Sequence, residues 1–398
     1  MNKRFMRVPI FILTVTILIC VLSSCSEQPD EPYHEMLNTV PVSQKDNVIE
    51  YGNYVFYESG KGIMKYDRST GEIRSACVDP ECKGNCLLES PLNYFSQIVD
   101  GKLYFATMTA YTHEYTYAYL DIQTGIVTVL RICEEIESVM GIPPLVENGY
   151  CYYSCKKLKE NGNKQDPQDY LPYICRISAD GSGSEEVLCE LLGESDILLF
   201  VYNGNAITHY DAKLHLVNLS TGERQIIFDQ YKEGYTFVNG DLAFLNGKIY
   251  LLLKTNASVT SEYTKKSYKY SYLVCVDPET RTHKRVLETP VVSFHITNNK
   301  IYYAPFELRH LNIPEDYENN LSQITIMLAS PDLHCCDLDG KNDQILYSNP
   351  TLNYMESFTV VQDKLYGWLI NHDEQTNTEN KKMYFGEIDF KTKEIVIK

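Results

Sequence analysis

The sequence predicts an all-β chain folded as a β-propeller, with seven four-stranded blades as the expected count. Two recurring turn signatures and their shared spacing carry that expectation. The first signature is a Gly or Asn turn opening into an aromatic strand, as in Tyr51-Gly52-Asn53-Tyr54-Val55-Phe56-Tyr57 and Asn246-Gly247-Lys248-Ile249-Tyr250. The second, further along each unit, is a turn led by Asp or Asn and closed by Gly. Examples are Asp67-Arg68-Ser69-Thr70-Gly71, Asp121-Ile122-Gln123-Thr124-Gly125 and Asn218-Leu219-Ser220-Thr221-Gly222. The second residue of the first signature falls at positions 52, 101, 149, 204, 247, 299 and 363, so the units are 43 to 64 residues apart.

Asn-Gly and Asp-Gly readily adopt positive φ, which a two-residue hairpin needs, and the flanking Tyr, Phe, Ile and Leu favour strands. In the second turn the Asp or Asn side chain caps the backbone and the Gly supplies a left-handed residue. One inner strand, the aromatic strand and the strands on either side of the second turn make four per unit, which is the arithmetic of a propeller blade. A pair of β-sandwiches is the rival, but it does not predict paired turns at one period. The 64-residue gap before position 363 leaves room for a long loop or a degenerate blade.

Residues 1–24 read as a signal peptide, residues 25–47 as a tether and residues 48–398 as the propeller. Lys3, Arg4 and Arg7 precede a mostly apolar run from Val8 to Leu22, which is shorter than the roughly 20 residues a membrane span requires. Leu22-Ser23-Ser24-Cys25 then resembles the bacterial lipobox, and the resemblance implies that Cys25 receives the lipid. Two acyl chains anchor a protein durably, which places it on the extracytoplasmic face of the cell membrane. The segment from Ser26 to Asn47 is polar, contains Pro29, Pro32 and Pro41, and reads as a flexible lead into the domain.

The chain carries 53 acidic and 36 basic residues, a formal charge of −17, which excludes an ordinary nucleic-acid binder. Its 44% hydrophobic and 22% charged content excludes wholesale disorder and coiled coil. An acidic surface is repelled by anionic headgroups, so the lipid, not charge, is expected to hold the protein at the membrane.

The Asn-Gly-Lys-Ile-Tyr strand followed by Asp-x-x-Thr-Gly resembles the lipid-anchored propellers of Gram-positive anaerobes grouped as the DUF5050 family. These are similar in turn to YWTD and quinoprotein propellers. The resemblance covers nearly all of the mature chain and implies a fold rather than an activity. The YWTD tetrapeptide is absent, and Trp368 is the only Trp, so the docking tryptophans of quinoproteins are missing.

Cys77, Cys82 and Cys86 stand in Cys77-Val78-Asp79-Pro80-Glu81-Cys82-Lys83-Gly84-Asn85-Cys86. Three thiolates offer a soft-metal site if a fourth ligand comes from elsewhere. The family resemblance implies Cys-x-Asp-Pro-x-Cys-x-His here, and Gly84 occupies the His position. A disulfide or structural thiols are therefore expected, with a metal as the alternative, and no cofactor is expected. Cys151, Cys155, Cys175 and Cys189 cluster in the third unit, where cysteine also serves as a small core residue. Cys335 and Cys336 are adjacent, and on a strand they would point to opposite faces.

No nucleophile elbow, P-loop, His-Glu-x-x-His or EF-hand pattern is present. His113, His209, His283, His295 and His310 are scattered. Two Tyr-dense segments, Tyr111 to Tyr119 and Tyr263 to Tyr272, offer a stacking rim for sugar or peptide, with ordinary amphipathic strands as the favoured reading. The expected function is a binding or scaffolding module at the cell envelope with a protein or glycan ligand. The alternative is a polysaccharide hydrolase or lyase, which would gather acids and a His at the channel mouth.

Overall fold

The computed structural model describes residues 38–39, 48–78, 86–90, 93–108, 114–134, 137, 144–236, 242–311, 313–318, 320–321, 324–348, 352–353, 358–371 and 383–397. Residues 1–24, expected from the sequence to be a signal peptide, lie outside them, as do Cys25 and Cys82. Among the described residues seven four-stranded antiparallel groups follow one another, each built from strands in chain order. Blade one comprises Val48–Tyr51, Tyr54–Ser59, Gly62–Asp67 and Ile73–Ser75. Blade two comprises Asn93–Val99, Lys102–Met108, Tyr115–Asp121 and Val127–Cys133. Blade three comprises Leu145–Glu147, Tyr150–Leu158, Tyr170–Ser178 and Glu186–Glu190. Blade four comprises Ile197–Tyr202, Asn205–Tyr210, Lys213–Asn218 and Arg224–Asp229. Blade five comprises Leu242–Leu245, Lys248–Thr260, Ser267–Asp277 and Thr282–Arg285. Blade six comprises Val291–Thr297, Lys300–Leu311, Asp332–Asp337 and Gln344–Ser348. Blade seven comprises Phe358–Val361, Lys364–Asn371, Met383–Asp389 and Ile395–Ile397. A single bridge, Ser271 to Val291, joins blades five and six.

The two turn signatures meet. Antiparallel order puts the turn between strands one and two at the same end of a blade as the turn between strands three and four. The backbone N–H of the residue after the capping Asp or Asn donates to the first turn's carbonyl. The bonds are Arg68 to Asn53 and Ile122 to Gly101, each 2.9 Å, and Leu219 to Gly204, 3.0 Å. Asp67 Oδ1 accepts from the Ser69 N–H, Asp121 Oδ1 from Thr124, and Asp389 Oδ1 from Lys391, all at 2.8 Å. Hydrogen bonds at these turns hold each of the three carboxyls below the usual carboxylate range, chiefly from the Ser69 hydroxyl to Asp67, the Thr124 N–H to Asp121 and the Thr392 N–H to Asp389. Asp100, Asn148, Asn203 and Asn246 all have φ near +50°, as the hairpin turns demand.

The core lies between the blades. Buried clusters join Phe56 to Leu103, Tyr104 to Tyr153, Leu198 to Ile174 and Phe244, Leu252 to Ile301, and Leu333 to Leu365. The last seam brings blade seven back onto blade one. Val55, Tyr57 and Tyr66 pack there against Val361, Tyr366 and Phe385. Tyr57 and Phe385 stack with centroids 3.8 Å apart and planes 5° apart, and the Tyr66 hydroxyl donates to Glu387 Oε2 at 2.9 Å. Among the described residues neither blade borrows a strand from the other, and side chains join them.

The long gap before position 363 is taken up by extra strand in blade six. Thr325–Ala329 pairs with the far half of Lys300–Leu311, and Asp332–Asp337 pairs with its near half. Within the expected tether, Asn38–Thr39 pairs with Phe244 and Ala243 of blade five's inner strand.

Two inner-strand groups contribute opposite pH dependences. Burial pushes His295 from an ordinary 6.5 down to about 4; its Nε2 lies 3.2 Å from Thr359 Oγ1. Between those values the unfolded chain holds a proton that the folded chain lacks, so stability falls as pH drops from 6.5 to 4. At about 1.4 kcal/mol per unit the contribution is about 3–4 kcal/mol. Glu50 is the reverse: burial, opposed by Arg68, raises it from 4.5 to about 7, so its contribution is lost as pH rises through that interval. Relative to the parent chain, His295→Gln should lose less stability as pH falls from 6.5 towards 4.5, and Glu50→Gln should lose less as pH rises from 4.5 to 7. Urea midpoints between pH 4.5 and 7 read this directly, and equal slopes in the two variants would refute it.

Candidate ligand-binding platform

The blade-five hairpin is unusually long. Lys248–Thr260 has 13 residues and Ser267–Asp277 has 11, against six in each strand of the equivalent blade-four pair. Its turn lies at the end opposite the paired turn signatures. Tyr268, Tyr270 and Tyr272 alternate along the second strand and therefore share one face. Their neighbours on the other face, Ser267, Lys269 and Ser271, are polar. All three tyrosines are half-buried, and Val259, directly opposite Tyr268, is 40% exposed.

Blade six completes the surface. Tyr270 meets Tyr272 edge-on at 5.8 Å and Phe306 of blade six at 5.5 Å. Near the hairpin tip, Tyr263 packs against His310 at 4.8 Å and Tyr317 at 5.3 Å. Ser261 Oγ lies 2.9 Å from His310 Nε2 and accepts the Thr264 N–H at 3.0 Å, so one buried hydroxyl ties the tip to the neighbouring blade. Arg285 lies 4.0 Å over the Tyr272 ring and donates from Nε to the Tyr235 hydroxyl at 3.1 Å. Each aromatic pair adds about 0.5–1.5 kcal/mol beyond its buried area, enough to hold the rings in place before any ligand arrives. Lys265, Lys266 and Lys269 are exposed on the same hairpin, a basic patch on a chain of net charge −17.

The sequence had singled out both Tyr-dense segments, and the structure separates them. Tyr115, Tyr117 and Tyr119 are buried between blades two and three, as ordinary core strand residues. Phe306, Tyr317 and Arg285 had no sequence signal, because they join the platform only through blade-to-blade neighbourhood.

The other candidates fall elsewhere. Cys77 and Cys86 are half-buried against the cluster of Phe56, Ile63 and Leu88, while Cys82 and Gly84 lie outside the described residues. Cys335 packs between blades six and seven and Cys336 between five and six, on opposite faces as expected. His113 lies outside the described residues. His209 lines a small apolar cavity with Leu199, Leu214 and Leu251. His283 stands 3.4 Å from Glu233 Oε2. His295 meets Thr359 and His310 belongs to the platform, so the four described histidines of this set are dispersed and do not converge on one site.

Blade order and seam packing define a β-propeller protein. No protein-family model matches the sequence, and no curated protein matches it. Among solved structures, one of two prolyl endopeptidases studied for inter-domain dynamics in catalysis and specificity aligns with 100% of this chain and 55% of its own, at 9% identity and TM-score 0.53. The chain thus spans about half the length of that endopeptidase. The β-propeller domain of the Trilobed protease from Pyrococcus furiosus aligns over 89% of this chain and 97% of its own, at 11% identity and TM-score 0.46. TolB from Acinetobacter baumannii aligns over 73% and 67%, at 13% identity and TM-score 0.31.

Proposed function

We propose that the protein is a lipid-anchored, extracytoplasmic binding module that holds an anionic polysaccharide at the cell envelope. The observation that supports this reading most is the half-buried row of Tyr268, Tyr270 and Tyr272 on a hairpin whose tip carries the exposed Lys265 and Lys266. Tyrosine faces stack on the apolar faces of sugar rings while their hydroxyls remain wet, and lysines meet uronate or phosphate groups. Prefixed rings reduce the ordering cost of binding. Anchoring through Cys25 would keep the platform near wall polymers, with residues 25–47 as the lead.

One experiment on cells tests both halves. Tyr270→Ala/Tyr272→Ala should leave the protein in the membrane fraction and reduce retention of polygalacturonate and of teichoic acid at least tenfold. Cys25→Ala should release the protein from membranes, or leave it unprocessed, with polymer binding intact. Membrane retention of Cys25→Ala would remove the anchoring proposal, and unchanged retention of both polymers by the double variant would remove the platform proposal.

A further inference from the structure

Blade three carries a second constellation, far in sequence from the platform. Cys155 and Cys175 lie on neighbouring strands, where Tyr153 pairs with Cys175 and Cys155 with Tyr173. They therefore share a face two residues out of register, and both are fully buried, with sulfurs 2.9 Å apart. The Glu185 carboxylate closes the group: one ligand atom from each of the three lies within 4.8 Å of the others. Tyr117 and Tyr153, stacked at 4.7 Å, pack in the same buried cluster as the sulfurs.

The carboxylate is held from outside. Glu185 Oε2 accepts the Tyr153 hydroxyl at 2.8 Å and pairs with Arg131 Nε at 3.0 Å, and Glu185 Oε1 pairs with Lys157. Arg131 also pairs with Glu137 at 2.9 Å. The Glu185 side chain is 18% exposed, so the order from solvent inward is two cations, one oriented carboxylate and two thiols. This is the layering of a ligand set with an orienting outer shell.

We propose that Cys155, Cys175 and Glu185 bind a thiophilic divalent cation of the zinc class, with water in the fourth position. Two sulfurs and one carboxylate oxygen match that ion's preferences, and three protein ligands leave its tetrahedron open. With metal–sulfur bonds of about 2.3 Å and metal–oxygen bonds of about 2.0–2.2 Å, ligand atoms sit roughly 3.3–3.8 Å apart. The sulfurs must open, and the widest pair close, by about 1 Å, within reach of side-chain rotation. On binding, each thiol releases one proton to water and each sulfur forms one bond to the metal, so two protons replace the cation's two charges and nothing is oxidised. A disulfide competes for the same pair: from 2.9 Å the sulfurs would close to about 2.05 Å and lose two hydrogens to an oxidant, whereas the metal needs none and also uses Glu185.

The test uses full-length protein with Cys77, Cys82 and Cys86 all replaced by Ser, which silences the other thiol loop. Anaerobic cobalt titration should give a near-ultraviolet thiolate-to-cobalt band saturating at about one equivalent and bleached by zinc. Cys155→Ser and Cys175→Ser should each abolish the tight band, and Glu185→Gln should weaken cobalt binding about tenfold or more. Should a cysteine variant fail to fold, the parent decides: zinc should raise its Tm with one-to-one stoichiometry. Absence of the band and of the Tm shift would overturn the proposal, as would a band that survives Cys155→Ser. A parent isolated two mass units lighter, with Cys155 joined to Cys175, would also overturn it and assign the pair to thiol oxidation instead.

Discussion

Replacing Asp196 by alanine is expected to destabilise the protein by about 3–5 kcal/mol. This carboxylate is wholly buried just before blade four's inner strand, where Oδ2 pairs with Arg224 Nη1 and accepts the Leu192 N–H, each at 2.9 Å. Arg224 also donates from Nη1 to Thr208 Oγ1 at 2.8 Å, and its side chain is only 14% exposed. Removing the acid leaves a guanidinium buried without its counter-charge, which costs far more than the pair contributes when intact. Asp196→Leu/Arg224→Met should therefore recover most of the loss, because two apolar groups carry no uncompensated charge. Urea unfolding of the two single variants and the double variant measures the coupling, and strictly additive losses would contradict it.

Phe385→Ala should cost a similar amount, about 3–5 kcal/mol, and should act first at one place. Its ring fills the seam between blades seven and one, stacked on Tyr57 and 6.1 Å from Trp368. Among the described residues no strand is shared across that seam, so no strand pairing offsets the lost packing. Trp368, the chain's only Trp, stands 5.7 Å from Tyr57 and reports on this seam alone. In the variant its emission should shift to the red at a lower urea concentration than the loss of far-ultraviolet β signal. In the parent chain the two transitions should run closer together. Coincident transitions in Phe385→Ala would show that the seam is not a separate weak point.

Much of the fold is local, and so it was legible. Asn203-Gly204 takes positive φ at both residues because its own chemistry favours that, and the Asn218 side chain caps Ser220 two residues away at 3.0 Å. Such effects need no distant partner, and their repetition told the blade architecture before any contact was known. The length of blade six was harder to read. Its second strand runs for 12 residues and bends from Asp332–Asp337 onto Thr325–Ala329, a pairing across a long connection that no turn signature marks.

The sequence by itself determined the strand period, the turns and the class of fold, because each follows from neighbours within a few residues. It also determined that tyrosines alternate in both Tyr-Thr-Tyr-Ala-Tyr, residues 115 to 119, and Tyr-Lys-Tyr-Ser-Tyr, residues 268 to 272. Only the tertiary structure decided their fates. Tyr117 is 1% exposed because blade three covers it, whereas Tyr268, Tyr270 and Tyr272 lie on a hairpin that outreaches blade four's and stay half-buried. The same holds for Cys155, Cys175 and Glu185, which approach within 4.8 Å through strand register and a returning loop. Period 2 says which residues share a face, but coverage of that face depends on the reach of a neighbouring blade, which no local pattern encodes.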